Sequence, residues 1–196
     1  MSTSQPFHHG DLKVALARCA ADLIEQSGIE ALSLRAVARE AGVSTAAPYR
    51  HYANKEALLA EVARQGFVQL RDDLVEAGAG LEPRPELLAQ CLGYVHFAQH
   101  HPALYRLMFG SFPDKDRYRE LTDAGDRLFA ILNARFSHLG GRQRAARAIG
   151  CWAFVHGLAL LAIDNQLNRH LPDTDEADLL DILRPMVENY TRAVSY

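Results

Sequence analysis

Ser33-Leu34-Arg35-Ala36-Val37-Ala38-Arg39-Glu40-Ala41-Gly42-Val43-Ser44-Thr45-Ala46-Ala47-Pro48-Tyr49-Arg50-His51-Tyr52-Ala53-Asn54-Lys55 reads as two short helices around a tight turn. Ser33 is an N-cap, its hydroxyl placed to accept from an early backbone N–H. Leu34, Val37, Ala38 and Ala41 fall at i, i+3, i+4 and i+7, one apolar face of a short helix. Gly42 follows where a left-handed C-cap residue belongs, Val43 plugs the turn, and Ser44 is expected to cap a second helix running to about Tyr52. Two helices joined by a short glycine-containing turn are the sequence form of a helix-turn-helix, here spanning about residues 32–51.

The second helix is small at its leading edge and rich in donors behind it. Thr45, Ala46 and Ala47 permit close approach, and Tyr49, Arg50, His51 and Tyr52 supply hydroxyl, guanidinium and imidazole groups. Such an edge suits entry into a major groove, with donors reaching phosphates and base edges. An ordinary helical hairpin with a polar face is the plainer alternative. Charge favours the first reading. The stretch carries Arg35, Arg39, Arg50 and Lys55 against Glu40, a net +3 in a chain whose net charge is −3. A basic patch on an acidic body suits a module that grips phosphate with one face. Within it, Thr45, Ala46, Tyr49 and Arg50 are expected to face the groove. His51 and Lys55 should meet the backbone, with Arg50 open to either a base or a phosphate.

The run Ser33-Leu34-Arg35-x-Val37-Ala38-x-x-Ala41-Gly42-Val43-Ser44, then Tyr49-x-His51-Tyr52-x-x-Lys55-Glu56-x-Leu58, resembles the DNA-binding domain of TetR-family transcriptional regulators. The match extends over roughly Gly10 to Phe67. Two positions depart from the family pattern: Pro48 stands where Leu usually precedes the Tyr, and Tyr52 replaces Phe. The resemblance implies an all-α fold with an N-terminal three-helix helix-turn-helix domain at 8–68 and a helical effector-binding and dimerisation domain at 80–196. It implies double-stranded operator DNA as a partner, met by Ser33, Arg35, Ser44, Thr45, Ala46, Tyr49, Arg50, His51, Tyr52 and Lys55.

At 196 residues and 48% hydrophobic, the chain can bury a sizeable core in one large or two small domains. Cys19, Cys91 and Cys151 are far apart and lie in apolar helical patterns, which fits buried thiols in a reducing compartment rather than a disulfide frame or zinc site. No N-terminal signal is visible and no apolar run looks long enough to span a membrane, so a cytoplasmic protein without a membrane partner is expected.

Along the chain, Leu12, Leu16, Cys19, Ala20 and Leu23 stripe a first helix that Gly28 ends, after a Phe7-His8-His9-Gly10 lead-in. A long helix follows from Lys55 through Leu74, then a loop containing Gly78, Gly80, Pro83 and Pro85. Further helices are expected over Pro85–His100, Ala103–Phe109, Asp114–Leu139, Arg142 to about Arg169, and after Pro172 to the end, with a kink or break at Pro185.

The last two helices have apolar faces broad enough for the chain's own core or for a four-helix bundle with a second copy. Homodimerisation is the reading adopted, since DNA readers of this type grip two half-sites, and the resemblance implies the same. The interface is expected on Arg142 to Arg169 and Glu176 to Tyr196, through Val155, Ala159 and Ala162 with Leu183, Met186, Val187 and Tyr190, the last four near its centre. Phe97, Leu104, Met108, Phe112, Phe129, Leu132, Phe136, Trp152 and His156 could line a cavity or be plain core. Trp152-x-x-x-His156-Gly157 resembles the signature of one TetR-family ligand-domain subgroup, which implies a small apolar or aromatic effector at these residues. His156 would then contact the ligand or serve as a structural, hydrogen-bonded histidine.

His96, His100 and His101 have a chelating spacing, but Pro102 ends the helix at once and no further ligand pattern joins them, so no metal and no cofactor is expected. The chain shows no glycine-rich phosphate loop, nucleophile elbow or paired carboxylates in an apolar setting, and catalysis is not expected. The function these observations support is a ligand-responsive repressor. An activator of the same fold is one rival. A helical small-molecule-binding protein or enzyme that keeps the helix-turn-helix as scaffold is the other.

Overall fold

The computed structural model of the chain describes residues 9–114, 117–167, 170 and 176–194; the expectations on Phe7, His8, Arg169, Pro172 and Tyr196 lie outside these. Every regular element among them is helical: α1 (His9–Ala31), α2 (Leu34–Glu40), a 3-10 helix (Pro48–Arg50), α3 (Lys55–Gly78), α4 (Pro83–His100), α5 (Pro102–Phe109), α6 (Arg119–Arg135), α7 (Gly141–Ile163) and α8 (Glu176–Val194). α6 is shorter at both ends than the expected Asp114–Leu139, and Pro185 is carried inside α8.

The chain packs as two compact units. The first comprises residues 1–66 with 103–123, and the second comprises 67–102 with 124–196. Segment 103–123 thus joins the first unit, although it lies within the stretch expected to form the second domain. Its anchor is Glu25 on α1. Pro102 opens α5 without an N–H, so the next two backbone donors need acceptors, and Ala103 and Leu104 donate to the Glu25 carboxylate at 3.1 and 2.8 Å. A carboxylate at a helix N-terminus also complements the helix dipole.

Within the first unit, α1 is interrupted at Gly28 (φ 78°), where the sequence places the helix end, and it resumes for one turn to Ala31. Leu16, Ile24, Val37, Leu58 and Leu59 are fully buried. In the second unit α4 packs against both α7 and α8. Cys91 and Cys151 are buried there, and Cys91 donates to the Cys151 sulfur, a hydrogen bond that together with burial holds the Cys91 thiol well above its ordinary range. Neither forms a disulfide.

α7 departs from the expectation about apolar runs. Its 23 residues are long and apolar enough to cross a membrane by length and composition. Alanines between the larger side chains raise its mean hydropathy, so no single stretch stands out in the sequence. Ala148, Cys151, Val155, Leu158, Ala159 and Ala162 are buried among protein atoms, as in a core helix.

Candidate functional site

The turn after α2 is held by backbone bonds that its sequence makes available. Ser33 Oγ accepts from Ala36 N at 3.1 Å and caps α2. At the other end Gly42 takes φ +66°, a conformation costly for any residue with a Cβ. Val43 N then donates to Ala38 O at 2.9 Å and Gly42 N to Arg39 O at 3.2 Å. That pair is a Schellman motif.

The expected second helix is not α-helical. Ala47 N donates to Ser44 O at 2.9 Å, Arg50 N to Ala47 O at 3.2 Å, and His51 N to Pro48 O at 3.0 Å, an i→i+3 pattern that tightens the segment into a turn and a 3-10 helix. Pro48 is the cause. Lacking an N–H, it cannot satisfy Ser44 O from position i+4, and the carbonyl takes the donor one residue earlier. The N-cap of the 3-10 helix is therefore Ala47, not Ser44, and no side chain caps it.

The residues expected at DNA divide into exposed and structural sets. Arg35, Ser44, Thr45, Ala46, Tyr49 and Arg50 are exposed, and Tyr49 retains 53% of its surface. Ser33 is committed to its cap. Tyr52 is buried, its hydroxyl donating to Lys13 O at 2.7 Å, and burial with the nearby Glu61 charge pushes its phenol pKa far up. Lys55 Nζ donates to Ile29 O at 2.6 Å and to Glu30 O at 3.5 Å. It thereby ties the start of α3 to the end of α1. The exposed edge Thr45–Arg50 thus projects from a base made by Pro48, Tyr52 and Lys55.

His51 is half-buried and lines a cleft of about 320 Å3 with Lys13, Glu61, Arg64 and the segment Arg117–Glu120. Sequence reading missed this cleft. Lys13, Arg64 and Arg117 are far apart in the chain, and no local pattern links them.

The expected effector residues fall into both units. Leu104, Met108 and Phe112 belong to the first, where Leu104 and Met108 are buried and Phe112 is 49% exposed. Met108 packs so closely on Gly66 that a Cβ there would lie 2.6 Å from its sulfur. Phe97, Phe129, Leu132, Phe136, Trp152 and His156 belong to the second. Phe97 and Phe136 are buried, and Leu132, Phe129 and His156 are half-buried. Four side chains of the second unit do assemble: Phe129 meets Trp152 edge-on at 5.9 Å between ring centroids, Trp152 lies 5.8 Å from His156, and Tyr94 joins them. Trp152 Nε1 donates to Tyr94 Oη at 3.3 Å, and Tyr94 Oη lies 3.1 Å from His156 Nδ1. The Tyr94 oxygen accepts from Trp152, and its own hydrogen can go to Nδ1 when the imidazole is neutral and protonated on Nε2. Tyr94 is the member that sequence reading missed, since a tyrosine on another helix gives no local signal of this bond.

Burial lowers the His156 pKa, so the folded state binds its proton less readily than the unfolded chain. Its contribution to stability is fully present above the ordinary histidine range of about 6.5 and is lost as pH falls through the window below it. Thermal unfolding between pH 7.5 and 5.5 should therefore show a smaller acid-side fall in Tm for His156→Gln than for the wild type. Equal falls would remove this role.

Most of the expected dimer residues are buried within the chain itself. Val155, Ala159, Ala162, Leu183 and Val187 are buried within this chain, because α4 covers that side of α7 and α8. Tyr190 is half-buried and stacks on Phe154 at 4.0 Å between centroids, within one chain. Of the expected set Met186 alone stays exposed, at 41%. The large apolar side chains left open on these helices are Ile149, Trp152, Leu160 and Leu161 of α7 with Ile182 and Met186 of α8.

Comparisons with known proteins agree with this architecture. A family model for bacterial regulatory proteins of the tetR family matches residues 18–62, and one for the tetracyclin repressor-like C-terminal domain matches 87–184. The chain is 24% identical over 164 residues to the uncharacterized HTH-type transcriptional regulator YobS of Bacillus subtilis (strain 168), covering 84% of this chain and 82% of that protein. A protein of unknown function from Rhodococcus sp. RHA1 has the same fold, with a TM-score of 0.79 at 30% identity over 98% of this chain and 100% of that one. The regulator FadR from Bacillus subtilis, in complex with stearoyl-CoA, gives a TM-score of 0.68 at 13% identity over 91% and 96% of the two chains. With a helix-turn-helix at one end and a family-matched helical domain at the other, the chain belongs to the TetR family and is a transcriptional regulator with a DNA-binding domain.

Proposed function

We propose that this regulator is a repressor that binds a pseudo-palindromic operator as a homodimer and leaves it when a small apolar or aromatic effector binds. The observation that carries the DNA reading is the exposed edge Thr45–Arg50, set between a glycine-locked turn and the Lys55 tie to α1. Ala46 offers a methyl surface to thymine, and Arg50 offers a planar fork to guanine. Arg50→Ala should cost on the order of 1–3 kcal/mol at one base pair in each half-site. A binding profile across operator variants checks it, and an unchanged profile would make Arg50 a backbone clamp.

Dimerisation through α7 and α8 is supported by the open apolar side chains Ile149, Leu160, Leu161, Ile182 and Met186, two helices of which would meet two from a second copy. Effector binding is supported by the half-buried aromatic and imidazole cluster around Trp152 and His156. The structural relative FadR is described with stearoyl-CoA bound, which lends an apolar effector some support here. The effector must bind the DNA-incompetent conformation more tightly, because equal affinity for both states shifts nothing.

A further inference from the structure

The cleft in the first unit has a charge pattern that the base-reading edge does not account for. Four of its wall residues are cations, Lys13, Arg64, Arg117 and Arg119, against the carboxylates of Glu61 and Glu120. Glu61 is already neutralised. Arg64 donates to it from Nε and Nη2 at 2.9 and 2.7 Å, and Gln65 adds a bond at 2.9 Å. Burial pushes the Glu61 carboxyl up, but these bonds outweigh it and leave it below its ordinary value.

Arg117 lies just before α6 and Arg119 opens it, both outside the helix-turn-helix. Arg117 Nη1 lies 3.2 Å from Glu56 Oε2 in the first turn of α3, its side chain 62% exposed, and its guanidinium sits 5.9 Å from the Tyr118 ring centroid. The Arg119 side chain is 93% exposed, with an ion pair to Asp123 at 4.0 Å. A guanidinium has five donors, so neither pair exhausts its arginine. His51 and Tyr52, which directly follow the exposed Tyr49 and Arg50, also line the cleft.

We propose that this cleft receives a backbone phosphate of the bound duplex, with Arg117 and Arg119 as contacting cations supplied from beyond the helix-turn-helix. The proposal rests on the DNA-binding reading above. A free phosphate gains little from a guanidinium almost wholly in water. A polyanion passing over the surface gains more, because each phosphate neutralised releases condensed counter-ions. Arginine forks also match phosphate oxygens two at a time.

The test compares the wild type, Arg117→Ala/Arg119→Ala and Glu56→Ala by duplex binding over a range of NaCl concentrations. For the double variant, the slope of log K against log salt should shrink by about 0.9 per lost contact, nearly two for each chain bound. Affinity should fall for every duplex alike, with base preference unchanged. Glu56→Ala breaks the same ion pair but keeps the cation, so it should retain the wild-type slope; a matching loss there would make the effect structural and overturn the assignment. A wild type that binds with normal salt dependence, beside a double variant of equal slope, overturns this proposal alone. A wild type that binds no duplex removes the DNA reading with it. Inorganic phosphate, titrated at constant ionic strength into the free protein, separates the remaining source. Saturable binding lost in the double variant, with an unchanged DNA slope, would assign the cleft to free phosphate instead.

Discussion

Ile149→Glu combined with Met186→Glu should sediment as a monomer that keeps its helical content, while the wild type sediments as a dimer. Both side chains are exposed in the single chain, at 53% and 41%, so a charge at either position meets water in the monomer and does not disturb its core. In a dimer built on α7 and α8 the same charges would be buried without partners, at roughly 3–5 kcal/mol each. An obligate interface of this kind typically buries more than about 2,000 Å2, and two unpaired charges from each copy offset much of that gain. With its halves no longer linked, the variant should bind a two-half-site operator roughly 100-fold more weakly or worse, since the second contact loses its intramolecular advantage. Val187→Glu provides the contrast. Val187 is 0% exposed within the chain, so that change should unfold the second unit rather than dissociate folded subunits. A double variant that remains dimeric would reject α7 and α8 as the interface.

Phe136→Ala should destabilise the protein by about 3–5 kcal/mol, as for a fully packed aromatic side chain replaced by a methyl group. Phe136 is 1% exposed, whereas Phe112 is 49% exposed and its replacement by Ala should change stability by no more than about 0.5 kcal/mol. Both had been expected to line one effector cavity. Chemical denaturation of the two variants separates these roles. A small loss at Phe136 would mean that its ring faces space an effector could fill. The predicted large loss would make it core, and would leave the Trp152 and His156 cluster as the better place to seek the effector.

Much of the fold was legible because its determinants are local. Gly28 and Gly42 break their helices with positive φ where the sequence places the breaks, and Ser33 caps α2 through a bond spanning three residues. The all-helical architecture followed from such short-range patterns, and the family from the resemblance carried by the Ser33-to-Leu58 motif. Pro48 stood out in the sequence only as a departure from the family pattern, and the second helix was still expected to run to about Tyr52. The effect of Pro48 on Ser44 O tightens the segment into a turn and the 3-10 helix Pro48–Arg50, although Tyr52 N still donates to Pro48 O at 2.9 Å in the i→i+4 manner. That most of the expected dimer residues are buried within one chain was not legible for a different reason. On a helix apolar on several sides, neighbouring residues are about 100° apart, and the choice between Met186 and Val187 depends on where α4 lies. Nothing in the local sequence states that. Likewise, Glu25 capping α5 across 78 residues, and Tyr94 joining Trp152 and His156 from another helix, are products of tertiary packing with no spacing signal.

The central claim is that the edge Thr45–Arg50, presented twice by a dimer, reads operator DNA. Fluorescence anisotropy with a labelled duplex from immediately upstream of the protein's own reading frame tests it most directly, over a range of salt concentrations and with Tyr49→Ala/Arg50→Ala alongside. The account predicts saturable binding of two chains per operator by the wild type, weakening steeply with salt, and a double variant that keeps the fold and salt dependence but loses the preference for operator over unrelated duplex. Equal preference in the two proteins, or no salt-dependent binding by the wild type to this or any other genomic duplex, would contradict it.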